Sequence, residues 1–505
     1  MTYNKDMKSR QVRLILLIFW LILAGLIVWF RVLPLGRATY SLTYPAKWNL
    51  LDGKGFIGRL SPQDRVEIKS GEAAKIIGDP VYFSVFTPRT FSEAKITITY
   101  KDNLTSSTPI IEAGVLVDNI VWRYKLAPLE NKLLDSKFKD WYKLRDGNIL
   151  LLQKNKNFAT VNEFLDILKN KSNNLCRTID PKSCLVLYNT DSLAAYLPVP
   201  LLPKEIVGFN PIDIPLQGTH QFYFIGPAKK SLNFEFNFVD LNLNKQSDPV
   251  IISLYQGANK IYSTTILDNF GGEGSGQTRS FSVPLVYQVS ASSSVLYKLE
   301  IKGDDDIVIK KIVKAPSALN FISRIRPVTV PNLPISFWTD SSFVDLTTNN
   351  PGSRQILNFD GHNFSLTEAY KQFEFLSSKN GLKELSLNRD DVILENDGVF
   401  SLTPETFFNP EFKKLDRHFV LNNETEYVLS EYQSPELIDN DFKKATVTLY
   451  TKEAYREKGK YSFMLSIPGL SLAGSGNVLI KEIKVEFSGR TLWDKIKEKI
   501  NSYVN

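Results

Sequence analysis

Histidine is nearly absent from this chain: His220, His362 and His418 are the only three in 505 residues, and they lie far apart. That scarcity weighs against imidazole chemistry, whether a nucleophilic triad or a histidine-built metal centre. Cysteine is scarcer still. Cys176 and Cys184, in NNLCRTIDPKSCLVLY, cannot supply a four-ligand zinc site. Phosphate-binding signatures are missing as well, because the glycine-rich run DNFGGEGSGQTRS sits between strand-like segments with no following GK[ST] and helix. Ser275, in GEGSG, stands on no strand-to-helix elbow with a recognisable base behind it. Paired carboxylates for glycoside hydrolysis stay open, since such a pair is assembled in space.

A continuous basic patch is also lacking, despite a formal charge of +7. Met1 to Arg37 carries six bases and one acid, and Arg490 to Asn505 carries four bases and two acids. These two ends, +5 and +2, account for the whole excess and leave the body near neutral. This placement speaks for membrane contact and against nucleic acid.

What is present begins with VRLILLIFWLILAGLIVWFR, Val12 to Arg31. The 17 uncharged residues between Arg13 and Arg31 would make about 25 Å of helix, and the neighbouring apolar residues extend it to a bilayer span. No small-residue cleavage site follows, so the stretch reads as an uncleaved anchor rather than a leader. Lys5, Lys8, Arg10 and Arg13 precede it and keep the amino end cytoplasmic. The expected layout is a cytoplasmic basic tail (1–13), a transmembrane helix (14–33) with Trp29 at its outer interface, and an extracytoplasmic bulk. In that compartment Cys176 and Cys184 are expected to form a disulfide.

Beyond residue 40 the dominant period is two. In LNFEFNFVDL, Leu232, Phe234, Phe236 and Phe238 alternate with polar residues, and PVYFSVFTP, AKITITY, PVIISLY, YKLEIKG, ATVTLY, YSFMLSI and EIKVEF repeat the pattern. The expected fold class is mainly β, with three antiparallel β-sandwich modules of immunoglobulin-like or jelly-roll-like type. Proline-rich stretches at 198–216 and 324–335 are read as linkers between modules at 40–197 (with a short helix), 213–320 and 335–489. FSEAKITITYKDN and DFKKATVTLYTKE hint at an internal duplication.

Thr160 and Glu163 open a capped helix in FATVNEFLDILKN. Residues 490–505 form a second, amphipathic one: Trp493, Lys495, Ile496, Lys499 and Ile500 suit a membrane interface, although docking on the last sandwich would use the same apolar face. Asp240, Asn242, Asn244 and Asp248 place oxygen donors at alternating positions and are candidate ligands for a structural calcium ion, though an Asn/Asp-rich turn explains them without metal. Asp304, Asp305 and Asp306 read as a solvated turn. Trp122, Trp141 and Trp338 are candidate stacking platforms for a glycan.

The stretches LQGTHQFYFIG, LNFEFNFVDLNLNKQSDPVIISLY and LYKLEIKGDDDIVIKKI resemble the repeating middle module of uncharacterised bacterial membrane-anchored envelope proteins with tandem β-sandwiches. The resemblance implies surface recognition or spacing and brings no catalytic residues with it. The expected function is therefore a single-pass membrane protein, non-catalytic, that binds or organises cell-surface polysaccharide or envelope proteins. The rival readings are a tethered polysaccharide-active enzyme and a structural subunit of an envelope assembly.

Overall fold

The structure, a computed structural model, describes residues 15–26, 37–44, 56–169, 184–190, 193, 196–197 and 211–489, apart from 88–89, 106–107, 120–121, 244–247, 258, 268–277, 290, 292, 316, 331–332, 378, 380, 440 and 472–475. The chain is mainly β, in antiparallel sheets. It divides into two compact units, one of residues 157–429 and one of residues 1–156 together with 430–505.

In the discontinuous unit, the strand Val478–Ser488 lies at the heart of a seven-stranded sheet. One edge pairs Ala74–Ile76 and Arg37–Thr43, and the other pairs Glu93–Asp102. Glu93–Asp102 then pairs Phe442–Tyr450, with Ala94 opposite Leu449 and Ile98 opposite Ala445. The two segments that look duplicated in sequence are therefore neighbours in one sheet. A five-stranded sheet carries Lys460–Ser466 between Val81–Phe86 and Ile110–Asp118, which continues to Arg123–Asn131. Alternation puts Ile96, Ile98, Phe463, Val485 and Phe487 in one shared core.

The other unit is organised by an eight-stranded sheet in the order Asn259–Ile266, Val250–Gln256, Val295–Lys302, His220–Gly226, Asn320–Ile325, Val392–Phe400, Phe343–Thr348 and Gln372–Leu376. Two four-stranded sheets, one containing Ser231–Asp240 and one containing Lys383–Leu387, belong to the same unit. All three contribute to a single core. Phe234, Phe236 and Phe238 point into it as the alternation requires, with ring centroids 5.5 and 6.1 Å apart along the strand. The helix Val161–Lys169 begins with its cap: Glu163 N donates to Thr160 Oγ1 at 3.2 Å, and Ala159 N donates to Glu163 Oε2 at 3.0 Å.

This pairing differs from the expected division at 40–197, 213–320 and 335–489. Asn320–Ile325 bonds both His220–Gly226 and Val392–Phe400, so one sheet crosses the stretch 324–335 that reads as a linker. Pro327 O accepts Asp391 N at 2.8 Å, and Val328 N donates to Pro215 O at 2.9 Å. Strands of the expected third module, Phe442–Tyr450, Lys460–Ser466 and Val478–Ser488, pair instead with strands of the first. Prolines mark where a strand is interrupted and say nothing about which strand it pairs with next.

The helical stretch 15–26 lies within the expected anchor. Among the described residues no helix is long and apolar enough to cross a membrane. Residues 1–14, 27–36 and 490–505, and with them Trp29, Trp493, Lys495, Ile496, Lys499 and Ile500, lie outside the described residues.

Candidate functional site

One face of the eight-stranded sheet covers the core, and its other face is crowded with charge. Register sets three polar rows there: Ser253, Glu300 and Gln221; then Tyr255, Lys298, Tyr223 and Asn320; then Arg324, Glu395, Asp345 and Glu374. Residues opposite one another on neighbouring strands share a face, so each row is fixed by pairing alone.

Glu300 is fully buried and is satisfied from several sides. Gln221 Nε2 donates to its Oε1, Tyr255 Oη donates to Oε2 at 3.0 Å, and Lys302 Nζ lies 3.6 Å from Oε2. Lys298 Nζ stands 4.6 Å above the Tyr255 ring, a cation–π contact. Tyr223 Oη donates to Glu411 Oε1 at 2.7 Å. Burial, reinforced by that carboxylate, raises the Tyr223 phenol well above its ordinary range.

At the other end of the face, the segment after residue 403 folds over the sheet. Asn320 fastens it by donating from Nδ2 to Thr406 O at 3.0 Å and accepting Phe408 N at 3.2 Å. Farther on, Arg417 forms an ion pair with Glu374, and His418 Nε2 lies 3.0 Å from Glu374 Oε2. The His418 ring packs on Phe343 with centroids 4.4 Å apart. Burial raises the pKa of Asp345, while Arg417 and His418 oppose the rise. Asp416 hydrogen-bonds to Asp397, which also accepts from Ser341 Oγ at 2.5 Å. Burial, together with the Asp397 charge, pushes Asp416 up to about 8, so the Asp416 carboxyl keeps its proton at neutral pH. Carboxyl groups in direct hydrogen-bond contact leave no space for a sugar between them, unlike the separations of about 5 to 9.5 Å that glycoside hydrolysis uses. Of these rows, Glu300 and Asn320 are fully buried and Glu374 is covered by Arg417, whereas the side chains of Arg324 and Glu395 are 43% and 48% exposed.

The three candidate tryptophans sit in different local settings. Trp122 is 67% exposed, just before Arg123–Asn131 in the discontinuous unit. Trp141 is half-buried and packs edge-on against Phe138, 4.9 Å between centroids. Trp338 belongs to the other unit, with its backbone bonded to Ser401.

Of the candidate calcium ligands, Asp240, Asn242 and Asp248 are buried, and Asn244 lies outside the described residues. Asp240 Oδ1 accepts Asn242 N at 2.9 Å, and Asp306 Oδ2 accepts Leu243 N at 3.0 Å, so both carboxylates shape this loop. Asp306 is thus buried, contrary to a solvated turn, whereas Asp305 is exposed and meets Arg326 Nη1 at 2.8 Å. Among the described residues, no group of three or more His, Cys, Asp or Glu is placed to hold a metal ion. Cys184 is buried just before the strand Leu185–Tyr188, and Cys176 lies outside the described residues.

Two buried polar networks escape sequence reasoning entirely. In the discontinuous unit, Lys443 Nζ lies 2.7 Å from Asp102 Oδ2 and also contacts Glu130, Lys132 pairs with Asp102, and Tyr100 Oη donates to Glu130 Oε2 at 2.7 Å. Burial alone would raise Asp102, but hydrogen bonds from Lys132 and Lys443 outweigh it and hold the carboxyl below its ordinary value. In the other unit, His220 donates from Nδ1 to Gly218 O at 3.2 Å and accepts Arg326 N on Nε2 at 3.1 Å. Burial lowers this imidazole to about 3, so it stays neutral, with both ring nitrogens taken up by backbone groups.

No protein-family model and no curated protein matches the chain. Solved structures that align with it include the VP2 subviral particle of infectious bursal disease virus, at 10% identity and a TM-score of 0.15 over 90% of this chain and 80% of that one. Dimeric latent PorU from Porphyromonas gingivalis aligns at 11% identity and a TM-score of 0.12, over 61% of this chain and 32% of that one. Superpositions this poor carry no argument.

Proposed function

We propose that the chain is a single-pass, membrane-anchored extracytoplasmic protein whose eight-stranded sheet binds or organises cell-surface polysaccharide without catalysis. The observation behind the binding reading is the row Arg324, Glu395, Asp345 and Glu374, fixed in register across four neighbouring strands. Adjacent strands lie about 4.8 Å apart, which matches the reach of a side chain to successive hydroxyl groups. Arg324 and Glu395 are the accessible pair of that row, with Arg324 Nε 3.7 Å from Glu395 Oε1. The anchor and the Cys176–Cys184 bridge belong to the same proposal and rest on the sequence. So does the kinship in layout with envelope proteins.

The test is retention of the detergent-solubilised full chain on immobilised envelope polysaccharides. Retention that a soluble sugar competes away, and that Arg324→Ala and Glu395→Ala each weaken, supports the reading. A wild-type chain that passes every polymer unretarded rejects it.

A further inference from the structure

The four-stranded sheet of Ile335–Thr339, Lys383–Leu387, Ile356–Phe359 and His362–Ser365 buries one face in the core of the unit of residues 157–429, through Phe337, Leu385, Leu387, Leu357 and Phe359. Alternation turns the residues between them outward. Register lines up Ser336, Ser386, Asn358 and Asn363 across all four strands and sets Trp338 opposite Glu384 in the next row.

Polar groups on this outer face are left unspent. Elsewhere, hydroxyl and amide side chains that stand opposite one another on neighbouring strands bond to each other: Thr97 with Thr446 and Ser253 with Ser263, both at 3.0 Å, and Ser282 with Asn237 at 2.8 Å. Asn358 and Asn363 do the same at 2.9 Å. Ser336 and Ser386 are paired in the same manner, yet their hydroxyls do not bond to each other. Among the described residues Glu384, which is exposed, has no ion pair, and the half-buried Trp338 indole has no ring or cation partner.

Trp338, Glu384, Ser336 and Ser386 mark the corners of a patch of about 5 by 7 Å, set by the strand spacing and the rise of two residues. An aromatic plate beside three unspent oxygens suits a pyranose, whose C–H face packs on the ring while its hydroxyls need partners. A carboxylate has the capacity to accept two neighbouring hydroxyls at once. Charge decides against acidic polymers. No lysine or arginine stands in these rows, Lys383 is buried on the opposite side, and Asp360 at the margin is paired with Lys379 at 2.9 Å. An uncompensated carboxylate repels phosphate and uronate groups.

We infer that this face is a subsite for a neutral hexose unit of a polysaccharide, with Trp338 as the stacking plate and Glu384, Ser336 and Ser386 taking its hydroxyls. The inference rests on the polysaccharide-binding reading and deepens it, on a different sheet from Arg324 and Glu395.

The test is frontal affinity chromatography of the detergent-solubilised full chain on an immobilised neutral glucan, a neutral mannan and a polyuronate. At least one neutral polymer should retard the chain and the polyuronate should not. Trp338→Ala and Glu384→Gln should each weaken that retention about ten-fold. Glu384→Gln, at an exposed position, keeps the fold and carries the test if Trp338→Ala does not fold. Retention that Arg324→Ala and Glu395→Ala weaken while Trp338→Ala and Glu384→Gln leave it unchanged overturns this inference and spares the binding reading. Polyuronate held as firmly as the neutral polymers overturns the assigned sugar class. A wild-type chain that none of the three polymers retards overturns the inference.

Discussion

Lys443 Nζ lies 2.7 Å from Asp102 Oδ2 across a sequence separation of 341 residues, inside a network that also holds Glu130, Lys132 and Tyr100. The ammonium comes from the late part of the chain, and both carboxylates come from the early part. Removing it leaves Asp102 and Glu130, each nearly buried, short of a counter-charge. Lys443→Met should therefore destabilise the discontinuous unit by about 2 to 4 kcal/mol, the cost of breaking a largely buried ion pair from one side. Adding Asp102→Asn and Glu130→Gln to Lys443→Met should restore much of the loss. Urea denaturation at pH 7 distinguishes this from a surface ion pair, whose loss would cost under about 1 kcal/mol.

His220 makes stability sensitive to acid. Its folded-state pKa is lowered to about 3, against about 6.5 unfolded, so the unfolded chain binds the extra proton as pH falls below 6.5. Its contribution is fully present above pH 6.5 and declines by about 1.4 kcal/mol per pH unit below it, reaching about 3 kcal/mol by pH 4. His220→Gln should start less stable at pH 7 and show a flatter decline. Parallel slopes for the two proteins would contradict the buried neutral imidazole.

Asp416 acts in the opposite direction. Its pKa is raised to about 8, so the folded state holds a proton that the unfolded chain releases above about pH 4. Stability from this group is complete at acid pH and is lost as pH rises from about 4 towards 8. Asp416→Asn keeps a donor towards Asp397 and an acceptor for His418 N without any titration. The variant should match wild type near pH 4 and exceed it at pH 8 by about 1 to 3 kcal/mol, read from thermal melts across that range.

Phe236→Ala should destabilise the unit of residues 157–429 by about 3 to 5 kcal/mol, because its ring is fully buried between Phe234 and Phe238. Trp122→Ala should change stability by less than about 0.5 kcal/mol, since the ring projects into solvent. Comparable losses from the two would mean that the alternation has been assigned to the wrong face.

Much of the fold is legible in the sequence. The alternation in LNFEFNFVDL and AKITITY gives the strands and their buried faces, because a period of two survives whatever partner the strand finds. The Thr160–Glu163 cap is equally local. Pairing is not local: nothing in EIKVEF states that Glu486 will stand opposite Lys95, nearly four hundred residues earlier. The charged face was hidden for the same reason, since Arg324, Glu395, Asp345, Glu374 and Arg417 come from five separate stretches. One faint signal exists. In FVDLTT and QFEFL one acid, and in VILEND two (Glu395 and Asp397), occupy the polar phase of the strand, which marks carboxylates held on a sheet face.

The discontinuous unit has a consequence in time. Its early strands, from Arg37 to Asn131, must wait while residues 157–429 are synthesised before Phe442–Tyr450 and Val478–Ser488 exist to pair with them. At about 5 to 20 residues per second, that wait lasts roughly fifteen to sixty seconds. Throughout it, Glu93–Asp102 is an apolar strand with two open edges, and a nascent chain in this state is a natural client for a holding chaperone.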